Sequence, residues 1–320
     1  MLRCGEQYSP TEHLQSNPLP FCKHSKVLMS DETKRIDRET GGMKWVNGLA
    51  SAATLALVVL TGPSASLAQD DAAVERALEQ YRKMMKADPW SNPANLDADR
   101  GEALWKTAAG PNKVSLEGCD LGKGPGKVDG AFAELPRYFA DADRVMDAET
   151  RVLWCRKSLQ GIDDTAYLKN PHPGGGQPVK DVGAIATWIA SKSSGMKFAA
   201  RLDQPKEKEA VAIGEALFNR RMGPFDFACT TCHADKGKRI RLQGLPYLSQ
   251  PEEARKVIGE WPAYRVSSTH VMTMQHRVLD CFWQMRMDRV QMGSDVSNAL
   301  IAYMVKTAEG GEIATPGMKR

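Results

Sequence analysis

The feature that most limits what this chain can fold into is a C-x-x-C-H motif, formed by Cys229, Cys232 and His233. Two thiols at this spacing can bond the two vinyl groups of one haem, and the adjacent imidazole can become the proximal ligand of its iron. A zinc half-site or a redox cysteine pair could use the same spacing, but a zinc site needs a second pair of ligands, which the sequence lacks. The motif therefore predicts one covalently bound haem c.

The beginning of the chain has the pattern of a secretory signal. An apolar run over residues 49–60 follows Lys44 and leads to small residues that end at Ala68. A charged start, a short apolar centre and a small-residue exit are typical of such signals. We predict a signal peptide over residues 43–68, cleaved near Ala68, and a periplasmic location. Residues 1–42 are interpreted as an over-long gene assignment or, alternatively, as an unusually long leader.

Composition excludes several classes of function. The chain has 320 residues, enough for about two domains of ~100 to 200 residues each. Its formal net charge of +4 does not indicate nucleic-acid binding, but it allows a small anionic substrate. No apolar run reaches the ~18 residues that a spanning helix needs, so we expect no membrane span in the mature chain.

The two halves of the mature chain contain the same short segments in the same order. Each half has a segment G-E-A-L followed by an aromatic residue, and its glycine lies 18 residues before a cysteine. Each half also has a segment R-V-L-x-C. Two matches in one order favour an internal duplication over chance. The matched pairs are 101–105 with 214–218, and 151–155 with 277–281.

Helical periodicity follows the same plan. Apolar residues at three- and four-residue spacing predict helices over residues 71–86, 182–194 and 295–308, and a glycine follows each of the last two. Residues 88–95 hold two prolines and predict a loop. A helix with an aromatic residue before C-x-x-C-H, and a terminal helix with an aromatic near its centre, resemble the cytochrome c fold. We therefore predict a mainly α protein with two tandem cytochrome c-like domains.

The two predicted domains cover residues 69–196 and 197–320, and only the second is expected to bind haem. In the first domain Cys119 and Asp120 stand where the motif has its second cysteine and its histidine, and Leu116 stands in place of its first cysteine. Neither double attachment nor a proximal imidazole is available there. The first domain is therefore predicted to lack haem.

Two cysteines of the first domain, Cys119 and Cys155, are expected to form a disulfide. An exported chain lies in an oxidising compartment, and these cysteines are not consumed by haem attachment. A disulfide that closes a loop of ~35 residues could contribute a few kcal/mol to stability. The alternative is a pair of free thiols, which an oxidising compartment disfavours.

The ligand on the far side of the haem has two candidate types. Cys281 ends the second R-V-L-x-C segment, and its counterpart in the first domain is also a cysteine, which is better explained if this position faces the haem. The alternative is a buried Cys281 and a methionine ligand, the common distal ligand in small cytochromes c. The methionines of this region are Met272, Met274, Met285, Met287 and Met292.

Other polar residues of the second domain are given ordinary roles. His270 and His276 could be haem ligands or bases, but we interpret them as surface or haem-edge residues. The basic run Lys236, Lys238, Arg239 and Arg241 is interpreted as a solvated face, or alternatively as a patch that attracts an anion or an acidic carrier. The proline- and glycine-rich residues 171–178 are interpreted as an ordinary loop.

Taken with the repeat, these segments resemble the SoxA subunits of the SoxAX cytochromes, which are L-cysteine S-thiosulfotransferases of bacterial thiosulfate oxidation. The resemblance covers the whole mature chain. Within the family, the sequence is similar to the branch that has one haem in this subunit. In the two-haem branch a further haem site takes the place of the two cysteines of the first domain. The segments that carry the resemblance are 119–126, 228–233, 277–281 and 284–286.

The resemblance implies an activity and roles for two more residues. The distal ligand of the family is a cysteine found as a persulfide, by position Cys281, and an arginine four residues earlier, here Arg277, serves the active site. The reaction joins thiosulfate to a cysteine of the carrier SoxY, in the SoxYZ pair, and two electrons leave through haems, including one on the small partner SoxX. We hypothesise that Arg277 orients the thiosulfate dianion. Its alternative role is a structural ion pair with Asp280 or Asp288.

Two other functions are compatible with the same residues. The first is a periplasmic electron-transfer cytochrome with methionine opposite His233. The second is a thiosulfate dehydrogenase that couples two thiosulfates to tetrathionate on a similar fold. The second needs no carrier protein, so the dependence of turnover on a carrier separates it from the main hypothesis.

Overall fold

Helices form most of the regular structure and follow one plan in both halves of the chain. The computed structural model describes residues 71–171, 177–240 and 243–319, so the predicted signal peptide and the segment before it lie outside the described residues. The α-helices are α1 Asp71–Ala87, α2 Ala94–Lys106, α3 Ala148–Cys155, α4 Thr165–Lys169, α5 Asp181–Ser191, α6 Pro205–Asn219, α7 Cys229–His233, α8 Pro251–Ile258, α9 Met274–Gln284 and α10 Asp295–Thr307.

The strands are only two or three residues long. Strand β5 is central to a three-stranded sheet, with β6 antiparallel on one side and β7 parallel on the other, while β1 pairs with β2 and β3 pairs with β4 in two antiparallel hairpins. Short turns of 3-10 helix cover Pro89–Ser91, Leu116–Gly118 and Phe132–Glu134, and a π-turn covers Arg156–Gln160. The strands are β1 Arg137–Phe139, β2 Arg144–Met146, β3 Arg239–Ile240, β4 Gln243–Gly244, β5 Ala263–Arg265, β6 His270–Met272 and β7 Gly317–Lys319.

The duplicated sequence segments fold into equivalent elements. A long helix (α2 or α6) is followed by the cysteine segment, a hairpin (β1–β2 or β5–β6), a helix that starts directly after the hairpin (α3 or α9), and a terminal helix (α5 or α10). The helices α3 and α9 are capped alike, because the side chains of Asp147 and Thr273 accept hydrogen bonds from Thr150 N and His276 N. Two copies of one fold are therefore present, as the repeat predicts.

The close crossing of the first and last helix in each half depends on the repeated glycine. A Cβ added at Gly101 would overlap the carbonyl oxygen of Ala184, and one added at Gly214 would overlap that of Ala299. The aromatic residue four positions later packs on the terminal helix in each half. The ring centroids are 5.5 Å apart for Trp105 and Trp188, and 5.2 Å apart for Phe218 and Tyr303.

Element boundaries differ from the sequence predictions at two places. Helices α1 and α10 end within one residue of their predicted ends, but α5 ends at Ser191, three residues early, and turns continue to its glycine. Residues 88–95 are not all loop, because Pro89–Ser91 is a 3-10 turn and α2 begins at Ala94. The side chain of Asn92 accepts a hydrogen bond from Ala94 N at 3.0 Å and starts that helix, an Asn-Pro signal that the prediction missed.

Cys119 and Cys155 form a disulfide inside the core of the first half. Their Cα atoms are 5.7 Å apart, and both residues are buried among the apolar side chains of α2, α3 and α5. The cysteines predicted to pair are therefore paired. The cross-link lies where the second half has its cysteine motif and Cys281, so it closes the first half at the equivalent place.

The segment between the halves is not a solvated linker. Phe198, Ala200 and Leu202 are buried. The backbone of residues 195–198 pairs with that of residues 310–313, with N···O distances of 2.7 to 3.0 Å. The predicted domain boundary near residue 196 thus falls in a stretch that packs against the end of the second half.

A buried polar network joins the two halves at the start of α9. The Gln275 side chain donates to both carboxylate oxygens of Asp147 at 2.8 and 2.7 Å, and its own oxygen accepts from Gly293 N at 2.8 Å. Asn298 Oδ1 accepts from Asp147 N at 2.9 Å and from Thr150 Oγ1 at 3.1 Å. These bonds satisfy polar groups that would be costly to bury alone, and they fix α9 relative to α3.

A second carboxyl, that of Glu149, is buried beside this network. Tyr167 donates a hydrogen bond to Glu149 Oε1 at 2.6 Å, and the side chain is 2% exposed. Burial, and the negative charge of Asp147, raise the pKa of Glu149 from 4.5 to about 8.

None of the helices in the described ranges combines the length and the apolar composition that a membrane-spanning helix needs.

We predict that Gly101→Ala lowers the free energy of unfolding by about 1 to 3 kcal/mol, because the added methyl forces α2 away from the Ala184 carbonyl. Urea unfolding of the purified protein measures the change. Gly244→Ala is the control, since a Cβ there meets no atom within 4 Å. Equal stability of the two variants would contradict the close crossing.

We predict that Glu149 makes stability fall as the pH rises. Its pKa is higher in the folded than in the unfolded chain, so the folded state keeps a proton that the unfolded state loses. The resulting stabilisation is present below about pH 4.5 and is lost as the pH approaches 8. Glu149→Gln should therefore flatten the decline in unfolding free energy between pH 5 and 8, measured by urea titration, whereas Glu252→Gln at an exposed position should not.

Candidate functional site

The C-x-x-C-H motif forms the short helix α7, which follows a tight loop after α6. The loop is closed by a backbone bridge between Met222 and Phe227, and Ala228 N donates to Thr231 Oγ1 at 2.9 Å as the helix begins. The first half has the equivalent bridge between Ala109 and Val114. The loop and helix together hold the two motif cysteines in one turn of chain.

The imidazole of His233 is fixed by the backbone. Its Nδ1 lies 2.7 Å from the carbonyl oxygen of Pro246. Because a carbonyl oxygen only accepts, Nδ1 carries the proton and Nε2 keeps its lone pair. Burial also lowers the pKa of His233, which favours the neutral ring. The histidine is thus held as a neutral ligand with Nε2 available.

A large open cavity of about 1980 Å³ lies against α7. Cys229 and His233 line one part of it, and Arg277 and Cys281 of helix α9 line another. Apolar side chains from three helices and one loop contribute walls: Phe218, Leu248, Val278, Phe282, Leu300 and Met304. Cys232 is half-buried in the same helical turn as Cys229 and is not among the lining residues. The structure therefore brings four of the five predicted residues of this site to one cavity.

Helix α9 presents a stripe of residues to this cavity. Met274, Arg277, Val278 and Cys281 follow at spacings of three, four and seven, so they share one helical face. Of the five methionines considered as ligands, Met274 alone lines the cavity in the described part of the chain. Met272, Met287 and Met292 are buried in apolar clusters, and Met285 packs against one of them.

Both cavity thiols are protonated more readily than an exposed cysteine. Burial and the charge of Cys281 raise the pKa of Cys229 to about 12. Burial raises the pKa of Cys281 as well, while the positive charges of Arg277 and Arg265 lower it and that of Asp280 raises it. The chain therefore places two cations within electrostatic reach of the Cys281 sulfur.

One carboxylate oxygen organises these charges. Oδ2 of Asp280 lies 2.5 Å from Nη1 of Arg277 and 3.2 Å from Nη1 of Arg265, and it accepts from Gln284 Nε2 at 2.9 Å. The ion pair between Arg277 and Asp280 that sequence reasoning offered as a structural alternative is thus present. Arg277 also lines the cavity, so the ion pair does not remove it from the site.

Arg265 is the site residue that sequence reasoning missed. It ends strand β5, far from the motif in sequence, and no local spacing marks it. The internal repeat holds a signal, because the residue at the same place in the first hairpin is Phe139. The replacement of an aromatic residue by an arginine at equivalent positions of the two halves indicates that this position has a different role in the second half.

Arg151, the counterpart of Arg277, has a structural role. It is 4% exposed, its Nη1 donates to both oxygens of Asp141 at 2.8 Å, its Nε donates to the Asp120 carbonyl at 2.7 Å, and its guanidinium stacks 4.1 Å from the Phe139 ring. Arg277 keeps more exposure, 21% of its side chain, and faces the cavity. The arginine at this repeated position therefore packs inside the first half, whereas in the second half it forms part of the cavity wall.

The two histidines of the region are buried, which corrects the interpretation of them as surface or haem-edge residues. His276 is fully buried, with Nε2 3.1 Å from the Pro171 carbonyl, and His270 is 7% exposed on β6. Neither lines the cavity. His276 faces the first half, where it contacts the Pro171 carbonyl and lies beside the ring of Tyr167. Amphipathic spacing could not show this, since it reports a buried face but not its partner.

The basic run is exposed in its described members. Lys236 and Arg239 lie at the edge of the cavity, and Lys238 pairs with Asp235 at 3.5 Å. Arg241 lies outside the described residues, as do residues 172–176 of the predicted loop. The run is thus a solvated face that borders the cavity mouth.

The residues present fit a covalently attached haem c. The fit is carried by the cysteine pair in one turn of chain, by the oriented neutral His233, and by an apolar cavity larger than the ~300 to 1,000 Å³ of an ordinary ligand pocket. Cys229 and Cys232 would attach the group, and His233 would ligate its iron. Cys281 or Met274 would supply a second ligand.

The helix arrangement and this motif define a cytochrome c-type protein with two copies of the fold. A sequence model of the SoxA/TsdA cytochrome c domain matches residues 100–198 and again residues 213–313. The predicted tandem cytochrome c fold is therefore confirmed.

Individual relatives agree with the family match. The chain is 45% identical over 258 residues to the L-cysteine S-thiosulfotransferase subunit SoxA of Hydrogenophilus thermoluteolus, covering 81% of this chain and 93% of the relative. It is 32% identical to a SoxA of Hydrogenobacter thermophilus, covering 80% and 92%. The crystal structure of SoxXA from P. pantotrophus shares the fold, with a TM-score of 0.62 and 24% identity over 75% of this chain and 84% of that one. The chain belongs to the SoxA family.

Proposed function

We propose that this chain is the catalytic haem c subunit of an L-cysteine S-thiosulfotransferase. In this reaction a sulfur–sulfur bond forms between the terminal sulfur of thiosulfate and a cysteine thiol of a carrier protein, a proton is released, and two electrons are lost. The observation that carries the proposal is that Cys281 and Arg277 face the cavity that His233 and Cys229 line. The names of the SoxA relatives support the same activity.

The proposed site residues divide into two sets. Cys229 and Cys232 attach the haem, and His233 and Cys281 ligate its iron. Bound haem c supplies an acceptor for the electrons that bond formation releases. Cys281, as thiolate or persulfide, is the sulfur at which thiosulfate reacts, and Arg277 holds the dianion by charge-assisted hydrogen bonds.

The first half is proposed to bind no haem, so that the subunit carries one. The Cys119–Cys155 disulfide consumes the two cysteines that lie at the equivalent of the haem site. An aspartate follows Cys119 where the second half has its histidine. We assign residues 69–196 to this domain and 197–320 to the haem domain.

The proposed partners and location follow from the family. The structural relative is a SoxXA protein, which supports a small cytochrome SoxX as partner, and SoxYZ is the proposed carrier. A disulfide in the core and the predicted signal over residues 43–68 both favour export to the periplasm.

A second candidate function is an electron-transfer cytochrome with a methionine ligand. The position of Met274 on the cavity face of α9 favours it. In that case Cys281 would be a small apolar residue of the wall, and Arg277 would serve only its ion pair with Asp280. The two variants below separate this candidate from the main proposal.

We predict that Arg277→Ala loses most carrier-dependent turnover of thiosulfate while haem content and the visible spectrum are unchanged. The physical reason is the loss of the cation that offsets the substrate charge beside Cys281, worth about 10- to 100-fold in rate. Steady-state assays with and without the carrier measure it. Arg289→Ala, an exposed arginine outside the cavity, is the control. Turnover near the normal rate would contradict the role of Arg277, and turnover without a carrier would favour the tetrathionate-forming alternative.

We predict that Cys281→Met changes the low-spin iron signals in electron paramagnetic resonance and raises the haem potential, because a thioether donates less charge than a thiolate. Met274→Leu is the matched control on the same face of α9 and should leave both unchanged. The opposite pattern, with a change in the Met274 variant only, would support the electron-transfer candidate.

A further inference from the structure

We propose that Arg265 is the second binding arm for the substrate, so that the sulfonate end of thiosulfate is held between the guanidinium groups of Arg265 and Arg277 beside Cys281. The inference rests on the proposed function and adds a binding residue to it. Arg265 lines the same cavity as Arg277 and Cys281. It belongs to a strand, not to the helix that carries the other two.

The charges of this cluster do not cancel. One carboxylate, that of Asp280, contacts both guanidinium groups through the single oxygen Oδ2. The side chains of Arg265 and Arg277 are 13% and 21% exposed, so solvent screens them only in part. Two positive charges against one carboxylate charge leave an excess positive charge within electrostatic reach of the Cys281 sulfur. A dianion that enters the cavity is attracted to this place.

The two arginines keep hydrogen-bond donors for a ligand. Arg265 uses Nη1 for Asp280 and Nε for Ser267 Oγ at 3.0 Å, and Arg277 uses Nη1 for Asp280. Within the described ranges, Nη2 of Arg265 and both Nε and Nη2 of Arg277 have no protein acceptor. Each guanidinium carries five N–H donors in a fixed plane, which suits the oxygens of a sulfonate group. Asp280 thus bridges the two groups through one nitrogen of each and leaves the other nitrogens named above for a ligand.

The backbone of Arg265 is fixed on both sides. Strand β5 is central to its sheet, and Arg265 lies opposite His270 on β6 and Lys319 on β7. Val266 N donates to the Lys319 carbonyl at 2.9 Å, and Lys319 forms an ion pair with Glu260. A binding group on a paired strand loses little freedom when the ligand arrives, so more of its interaction energy appears as affinity.

The first half shows how the equivalent residues are arranged when Arg265 is replaced by another residue. Phe139 takes the place of Arg265 there, Trp154 takes the place of Asp280, and Arg151 stacks on the Phe139 ring and pairs with Asp141. A single arginine is then sufficient for packing. In the second half an arginine, and the acid that spaces it, replace two aromatic residues in the same framework. A purely structural site needs no such exchange.

The experiment compares Arg265→Gln with the unaltered protein, purified with its haem and small cytochrome partner. The readouts are KM and kcat for thiosulfate with the carrier, and the Kd of thiosulfate by titration calorimetry. We expect KM and Kd to rise about 10- to 100-fold, the loss of one charged hydrogen-bond partner, with kcat changed less than about threefold because uniform binding is lost. Arg289→Ala, an exposed arginine outside the cavity, should leave all three unchanged.

A second variant guards against misfolding. Arg265→Phe restores the residue of the first half, which that framework already accommodates, and should raise KM and Kd in the same way. Unchanged KM and Kd in either folded variant would overturn the inference. A fall in kcat alone, together with loss of haem, would also overturn it, because that result indicates a structural role. If the unaltered protein binds thiosulfate but never transfers it to the carrier, the proposed function fails, and the change in Kd still decides the role of Arg265.

Discussion

The crossing of the first and last helix in each half is the contact on which the rest of the structure depends. Helix α2 can approach the backbone of α5 only because residue 101 is a glycine. In the same way, Gly214 allows α6 to approach the backbone of α10. With these pairs fixed, the cysteine segment, the hairpin and the following helix can close around the core in the same way twice. The C-x-x-C-H motif of one half and the disulfide of the other occupy equivalent places in one framework.

The candidate site lies where three parts of that framework meet. Helix α7 contributes the motif, α9 contributes Arg277 and Cys281, and the end of β5 contributes Arg265. The start of α9 is held by the buried bonds of Gln275 to Asp147 in the first half. The first half therefore has a structural role in this site, because it fixes the helix that carries Cys281.

Much of the fold followed from local rules. The duplication, the helical periodicity and the cysteine count predicted the tandem cytochrome c fold, the disulfide and three helices close to their observed bounds. The predictions were wrong where a helix cap sets the start of a helix or where a packing partner sets the burial of a side chain. Asn92 starts α2 inside a predicted loop, His270 is buried, and His276 is buried against the other half. Periodicity identifies a face that is buried, but it carries no information on which surface covers it.

The sequence by itself determined the chemistry that needs fixed spacing along the chain. C-x-x-C-H states which residues can attach and ligate a haem, and the repeat points to Cys281 across the cavity, since a shared framework returns equivalent residues to equivalent places. Only the tertiary structure decided which other groups reach that sulfur. The approach of Arg265 to Asp280 joins a strand end to a helix fifteen residues later, and a contact of this kind depends on how β5 packs against α9, which no local pattern encodes.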